Sequence, residues 1–238
     1  MRRDYIKWHS PSLGRDMELL AYGHAGFPIL VFPTSGGRFF EYEDRGMVSA
    51  LAPKIDRGEL QVFSVDSVDQ ESWYNRSIAP ADRLHRQNAF DAYLTLEAAP
   101  FVRDRTTWGQ FGTTGCSFGG YHAINYALRH PDIVTYAVSM SGAFDIPRRF
   151  LDGYYNSDAY FHCPLDNLPN LEDGWYLDRM RRGYYVLVVG NGDPLFDQNV
   201  KMAHAFGIKG VPHTLDVWEG FAHDWPWWRK MADKYFVK

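Results

Sequence analysis

The stretch Gly115-Cys116-Ser117-Phe118-Gly119 decides the fold, because it fits the pattern G-x-S-x-G at a point where two kinds of sequence meet. A β-rich run at residues 107–112 precedes it, and apolar residues at helical spacing follow it at residues 119–130. Strand, tight turn and helix form the setting of a nucleophile elbow, in which a serine hydroxyl points away from the sheet. The flanking glycines let the two backbones pass closely. We therefore predict that Ser117 is a nucleophile at the end of a strand.

Strands and helices alternate along the rest of the chain. β-rich runs occupy residues 29–32, 60–65, 107–112, 134–140, 184–189 and 213–218, and helical spacing appears at residues 80–100, 119–130, 197–207 and 225–236. This alternation is typical of βαβ units, so we predict an α/β fold with a mostly parallel central sheet flanked by helices. Residues 5–9 and 16–22 alternate in the manner of antiparallel N-terminal strands at the edge of that sheet.

A serine nucleophile needs a base, and His223 is the candidate among nine histidines. In folds with a G-x-S-x-G elbow the acid follows the serine along the chain, and the histidine comes last. His223 lies between the last predicted strand and the last predicted helix, where this order places the base. His204 lies within a predicted helix and His213 opens a strand, so structural roles suit both of them better. Asp224 is expected to cap the following helix.

The acid is expected after the strand at 184–189, where the sequence reads Gly190-Asn191-Gly192-Asp193-Pro194-Leu195-Phe196-Asp197. Asp193 lies at the turn directly after the strand, at the sheet edge that carries Ser117. Asp197 lies one turn later, near a helix start, where capping and the helix dipole favour an aspartate in any case. We favour Asp193 and keep Asp197 as the alternative. The carboxylate would hold the His223 tautomer and stabilise its imidazolium.

Two backbone donors are expected to form an oxyanion hole. One is the N–H of Phe118, directly after the nucleophile. The other should come from the loop after the strand at 29–32, which reads Pro33-Thr34-Ser35-Gly36-Gly37. Its glycines allow a backbone N–H to approach a ligand closely. We predict Gly36 as this donor, with Ser35 and Gly37 as alternatives.

Residues 144–182 break the alternation and are predicted to form a small cap-like insertion. The segment is rich in Tyr and Trp, which argues against disorder. Its rings would either close over an acyl or aryl group or pack as a small core of their own. Trp73 and Tyr74 are further candidates to reach the site. Four arginines near the ends of the insertion are candidates to bind an acidic group, although solvated arginines are more common: Arg148, Arg149, Arg181 and Arg182.

The composition excludes several classes of protein. The 238 residues suit a single domain, 1–238, and 45% hydrophobic with 23% charged residues excludes intrinsic disorder. Aromatic residues make up 16%, more than a core needs, so some are expected to line a surface or pocket. The net charge is −4 and no basic tract occurs, so nucleic acid is not an expected partner.

Membrane, metal and cofactor sites are not expected either. No apolar run approaches the ~20 residues that span a bilayer, and the N-terminus lacks the apolar region of a secretory signal. The two cysteines, Cys116 and Cys163, are therefore expected as free thiols in the cytoplasm. No metal-ligand spacing and no nucleotide-binding glycine motif occurs, so we expect no metal and no cofactor.

Three motifs resemble those of one family. They are Gly115-Cys116-Ser117-Phe118-Gly119-Gly120, Gly190-Asn191-Gly192-Asp193-Pro194-Leu195 and His223-Asp224-Trp225-Pro226-Trp227-Trp228. They are similar to motifs of the α/β-hydrolase "putative esterase" family, which includes esterase D, feruloyl esterases and the antigen 85 acyltransferases. The His-x-Trp-x-x-Trp ending is the more specific mark.

The resemblance covers nearly the whole chain and implies an α/β-hydrolase fold with Ser117, Asp193 and His223 as the catalytic triad. The chain departs from many members at residues 32–37, which lack their His-Gly, so the second oxyanion donor is not carried over. In the antigen 85 branch the acid lies later, which keeps Asp197 as the alternative.

Taken together, these features predict a serine hydrolase, a carboxylesterase that cleaves small-molecule esters through an acyl-enzyme on Ser117. An acyltransferase would use the same triad with an alcohol acceptor. A non-catalytic binding protein on a hydrolase fold is the alternative from another class. The sequence leaves open which ester is cleaved and whether the chain forms a homo-oligomer.

Overall fold

The computed structural model describes residues 1–236, apart from the side chain of Pro147, and is organised by an eight-stranded sheet. Residues 237 and 238 of the predicted domain lie outside the described part. The strands are β1 Arg3–Ser10, β2 Arg15–Tyr22, β3 Phe27–Phe32, β4 Leu60–Val65, β5 Phe111–Cys116, β6 Val134–Met140, β7 Tyr184–Gly190 and β8 His213–Trp218. Their order across the sheet is β1-β2-β4-β3-β5-β6-β7-β8. The pairs β1–β2 and β2–β4 are antiparallel and the other five pairs are parallel, so the predicted mostly parallel sheet with antiparallel N-terminal strands is confirmed.

The strand that leads to Ser117 lies four residues later than predicted. The sequence places it at residues 107–112, whereas β5 spans Phe111–Cys116 and ends directly before the serine. Its glycines and threonines carry little apolar signal, yet every residue of β5 is buried because the strand lies between β3 and β6 under a helix. The run at 107–110 is mostly exposed, so that prediction was wrong in position.

Helices cover both faces of the sheet. They are α1 Glu41–Asp44, α2 Met47–Asp56, α3 Pro80–Tyr93, α4 Ala99–Asp104, α5 Phe118–Arg129, α6 Ile146–Phe150, α7 Ser157–Phe161, α8 Pro164–Asn170, α9 Gly174–Met180, α10 Phe196–Ile208 and α11 Trp225–Tyr235. A π-helical turn, Leu94–Ala98, joins α3 to α4 within the helix predicted at 80–100. The segment 144–182 holds four short helices, α6 to α9. None of the helices in residues 1–236 is long and apolar enough to cross a membrane.

The core has two parts, one on each face of the sheet. Ile29 and Val31 of β3 pack in the cluster that also holds apolar residues of α2 and α11. Leu30 and Phe32 point the other way, into the cluster with residues of α3, α5 and α10. The period-two alternation of a strand explains this division. A parallel sheet covered on both faces leaves its carboxyl edge as the place where loops can form a site.

Candidate active site

Ser117 stands at a strained turn between β5 and α5. Its backbone has φ 55° and ψ −116°, and a positive φ is costly for any residue with a Cβ. The Ser117 N–H donates to Met140 O at 2.8 Å, and Gly120 N–H donates to Ser117 O at 3.0 Å. Both the end of β6 and the first turn of α5 therefore hold the turn in place.

The glycines around Ser117 are required by close backbone approach, as the sequence predicts. A Cβ on Gly115 would lie 2.3 Å from the carbonyl carbon of Gly119. A Cβ on Gly119 would lie 2.4 Å from Phe32 O, and one on Gly120 would lie 2.5 Å from Ser139 Oγ. Real Cβ atoms do not approach other heavy atoms this closely. The start of α5 is therefore wedged between the ends of β3, β5 and β6.

His223 and Asp193 meet at the same sheet edge. His223 Nδ1 lies 2.9 Å from Asp193 Oδ2 and 3.1 Å from Oδ1. An ionised carboxylate only accepts hydrogen bonds, so Nδ1 carries the proton and Nε2 is left as the basic nitrogen. The structure thus brings Asp193 to His223, whereas Asp197 lies in the first turn of α10. Within residues 1–236 no hydrogen bond joins His223 to Ser117, a contact that often tightens only when substrate binds.

Asp193 is held as a carboxylate despite complete burial of its side chain. Burial is the largest single influence and raises the pKa of the carboxyl group. The hydrogen bonds from His223, from the Leu195 N–H at 2.8 Å and from the Ser141 hydroxyl together outweigh it, so the pKa of Asp193 is lowered. The pair is therefore an ionised acid beside an oriented imidazole.

Close packing also joins the loops that carry the acid and the base. A Cβ on Gly190, the last residue of β7, would lie 2.3 Å from Gly220 O. The Gly192 N–H donates to Gly220 O at 2.9 Å, which ties the Asp193 turn to the loop before His223. Ala222, next to His223, has φ 47°. The loop before His223, like the elbow, therefore has a strained backbone, here at the residue directly before the candidate base.

Sequence reasoning did not single out Ser141 and passed over the role of Trp228. Ser141 follows β6, is fully buried and has φ 56°. Trp228 Nε1 donates to Ser141 Oγ at 3.3 Å, and the Trp228 ring lies edge-on to His223 at 5.1 Å. Since an indole N–H can only donate, Ser141 Oγ accepts from Trp228 and keeps its own proton for Asp193. Trp228 and Ser141 thus contact both members of the His–Asp pair.

The residues 33–37, here called the 33–37 loop, adjoin the elbow. Thr34 N–H donates to Glu41 Oε2 at 2.8 Å, and Gly37 N–H donates to Thr34 O at 2.9 Å, so both are occupied. The N–H groups of Ser35 and Gly36 have no acceptor in the described part of the chain. Gly36 has φ +67°, the conformation that glycine tolerates best. Gly36 and Ser35 therefore remain candidates for the second oxyanion donor, whereas Gly37 does not, because its N–H is already bonded to Thr34 O.

Tyr74 links the 33–37 loop to the elbow. Its hydroxyl donates to Ser35 Oγ at 2.7 Å, and its ring lies 5.4 Å from that of Phe118. Tyr74 N–H donates to Asp69 O at 2.9 Å, and the buried Asp69 carboxylate lies 2.8 Å from His122 Nε2 on α5. Of the two aromatic residues proposed to reach the site, Tyr74 does so, whereas Trp73 is fully buried.

Only some aromatic residues of the insertion lie near the elbow. Phe150 of α6 reaches the elbow, with its ring 5.5 Å from Phe118 and 4.8 Å from Tyr74. Tyr160, Phe161 and Tyr176 instead line a cleft of about 640 Å³ at the other end of α5. Since a helix rises 1.5 Å per residue, the 12 residues of α5 put that cleft about 18 Å from Ser117. A smaller cleft of about 370 Å³ opens beside Gly36, next to Phe40 and Arg45.

Neither cysteine is a second nucleophile. Cys116 and Cys163 are both free and buried. Burial raises the pKa of the Cys116 thiol well above its usual range and that of Cys163 to about 12. Thiolate is therefore scarce at neutral pH. Among residues 1–236, no group of three or more His, Cys, Asp or Glu side chains is placed to hold a metal ion.

Comparison with known proteins gives one family and one fold. A family model described as "Putative esterase" matches residues 38–234. No curated protein matches the chain by sequence. A ferulic acid esterase structure aligns with TM-score 0.78 at 17% identity, covering 99% of this chain and 96% of that one.

Two further solved structures are similar over almost their whole length. An S-formylglutathione hydrolase from Staphylococcus aureus gives TM-score 0.63 at 16% identity, covering 99% and 95% of the two chains. Mycobacterium tuberculosis MPT51 gives TM-score 0.70 at 16% identity, covering 99% and 97%. At these identities the likeness shows the fold, which is that of the α/β-hydrolases.

Proposed function

The chain belongs to the "Putative esterase" family, and we propose that this carboxylesterase-type hydrolase cleaves small-molecule esters through an acyl-enzyme on Ser117. The observation that carries the proposal is the Asp193–His223 pair at 2.9 Å, at the same sheet edge as the strained Ser117. A neutral imidazole with its Nδ1 proton fixed by a buried carboxylate is the base that a serine nucleophile needs.

The proposed reaction has two halves. Ser117 Oγ attacks the ester carbonyl while His223 Nε2 takes the hydroxyl proton, and Asp193 stabilises the imidazolium. The C–O bond to the alcohol then breaks, and His223 returns the proton to the leaving alcohol. In the second half His223 takes a proton from water, the hydroxide attacks the acyl carbonyl, and Ser117 leaves with that proton as the acid is released.

Backbone N–H donors would stabilise the negative charge that develops on the ester carbonyl oxygen when Ser117 attacks. The first-turn N–H groups of a helix have no partner within the helix, so Phe118 N–H at the start of α5 is available. We assign the second donor to Gly36, with Ser35 as its alternative, since both N–H groups lack acceptors in the described residues. Donors of this kind are already in place before charge develops, which is why they lower the barrier.

We place the enzyme in the cytoplasm. Support comes from the two buried cysteines, which are free rather than paired and so suit a reducing compartment.

Replacement of Ser117 by alanine tests the proposal. We expect Ser117→Ala to abolish turnover of p-nitrophenyl acetate while the circular dichroism spectrum and Tm stay near those of the wild type. Ser49→Ala, on the exposed side of α2, is the matched control and should keep full activity. Turnover that persists in purified Ser117→Ala would refute the assignment of the nucleophile.

A further inference from the structure

Arg149 is an exposed cation beside the candidate site. Its guanidinium carbon lies 5.5 Å from the centroid of the Phe150 ring. That ring packs against Phe118, the neighbour of Ser117, and against Tyr74, which holds the 33–37 loop. The Arg149 carbonyl accepts a hydrogen bond from Arg76 Nη2 at 2.7 Å, so its backbone is anchored. Arg149 therefore packs on an aromatic cluster, formed by Phe150, Phe118 and Tyr74, that adjoins both proposed oxyanion donors.

The charge of Arg149 reaches the Tyr74 hydroxyl. Burial is the main influence on that group and raises its pKa, and the charge of Asp69 acts in the same direction. The guanidinium of Arg149 acts in the opposite direction and lowers it. The effect of Arg149 is smaller than that of Asp69, but it shows that the guanidinium lies within electrostatic reach of Tyr74, whose hydroxyl donates to Ser35 Oγ at 2.7 Å in the 33–37 loop.

The carboxylates around Arg149 are already engaged with other groups. Asp145 pairs with Arg148 at 3.1 Å, and Asp152 pairs with Arg76 at 2.6 Å. Asp69 is engaged by His122. In residues 1–236, Arg149 forms no ion pair with any carboxylate. Its planar donors are thus free for an external partner, and carboxylates match their geometry best.

We propose that Arg149 binds a carboxylate of the substrate, so that the enzyme prefers esters that carry a negative charge. The inference rests on the proposed ester hydrolysis at Ser117 and names the class of ester that this site takes. The charge belongs either to the acyl portion or to the alcohol, and both have the same chemistry toward a guanidinium. Because the pair is partly exposed, the preference should weaken as salt is added.

Two pairs of matched esters test the inference. For the acyl side, the 4-nitrophenyl monoester of adipic acid is compared with the 4-nitrophenyl ester of adipamic acid, which has a neutral amide at the same place. For the alcohol side, 3-acetoxybenzoate is compared with 3-acetoxybenzamide. The readout is the ratio of kcat/KM for the charged ester to that for the neutral one, in the wild type, Arg149→Gln and Arg148→Gln.

We expect the ratio for at least one pair to fall roughly tenfold in Arg149→Gln, about the size of one charge-assisted hydrogen bond. The change should lie mainly in KM, and Arg149→Lys should restore part of it. Arg148→Gln, which removes a neighbouring cation already paired with Asp145, should keep the wild-type ratio. The pair that responds identifies which portion of the ester carries the charge.

Equal ratios in the wild type and both variants, or an equal fall in both variants, would overturn the inference. Either result leaves the proposed function intact, because the neutral esters would still be cleaved through Ser117. Failure to cleave any of the four esters would instead overturn the proposed function, and with it this inference. The kcat/KM ratio of the wild type, measured at low and at high salt, gives a check that needs no variant. The ratio should fall as salt is added, and a ratio that does not change with salt contradicts a role for Arg149.

Discussion

The hydrogen bond from Trp228 to Ser141 should affect catalysis although neither residue contacts the substrate carbon in the proposed reaction. Trp228→Phe removes the N–H that donates to the buried Ser141 Oγ at 3.3 Å but keeps an aromatic ring edge-on to His223. A buried hydrogen bond of this kind contributes about 1 kcal/mol. If that energy orients the Asp193–His223 pair, its loss lowers kcat/KM by about fivefold, since about 1.4 kcal/mol is a factor of ten.

The assay is a double-mutant cycle on kcat/KM for p-nitrophenyl acetate. Ser141→Ala breaks the same link from the other end, so Trp228→Phe combined with Ser141→Ala should be little worse than the poorer single variant. Trp225→Phe is the control, since the Trp225 ring packs on Trp228 at 4.9 Å while the bond to Ser141 comes from Trp228. Fully additive losses, or an equal loss in Trp225→Phe, would show that the hydrogen bond from Trp228 to Ser141 does not orient the Asp193–His223 pair.

Three other predictions concern the elbow, the acid and a buried histidine. Gly119→Ala should lower the free energy of unfolding by about 2 kcal/mol in urea denaturation, because its Cβ meets backbone at 2.4 Å. Gly109→Ala, with nothing within 4 Å of its Cβ, should be neutral, and equal stability of the two variants would contradict the packing argument. Asp193→Asn should lower kcat by about 10⁴-fold while Asp197→Asn stays near wild type; the reverse would make Asp197 the acid. Burial lowers the pKa of His162 to about 3, so the unfolded chain binds a proton that the folded chain refuses, and stability falls as pH drops from about 6.5 toward 3. Tm measured against pH should fall less steeply in His162→Gln, and an unchanged slope would exclude this histidine as a cause.

The positions of three candidate residues after strands could be predicted from the elbow motif and from the order of strands along the chain. Ser117, Asp193 and His223 each follow a strand in the expected order, and the geometry brings Asp193 to His223. Ser141 also follows a strand, but a serine after β6 has no distinguishing pattern. Ser141 is distinguished only by its place after β6, which lies between β5 and β7 in the sheet, and by the hydrogen bond from Trp228. Such a relation depends on tertiary structure rather than on spacing.

The missed elements have physical reasons as well. Helix α2 carries Met47, Val48, Leu51 and Ile55 on its buried face, but Pro53 lies inside it and reads as a helix breaker. Strand β5 was predicted four residues too early because a run of glycine and threonine lacks the apolar pattern of a buried strand. Which rings of the insertion pack against the elbow could not be predicted. The path of the backbone puts Phe150 against Phe118 and Tyr160 in the cleft at the other end of α5, and that path has no signal in the sequence.

Labelling with a fluorophosphonate shows whether Ser117 is the nucleophile. The probe forms a covalent bond only with an activated serine, and peptide mass spectrometry locates it. We predict one probe per chain, attached to Ser117, with esterase activity lost in step with labelling and no labelling of Ser117→Ala. Attachment at another serine, or a folded and active enzyme that takes up no probe, would show that Ser117 is not the nucleophile.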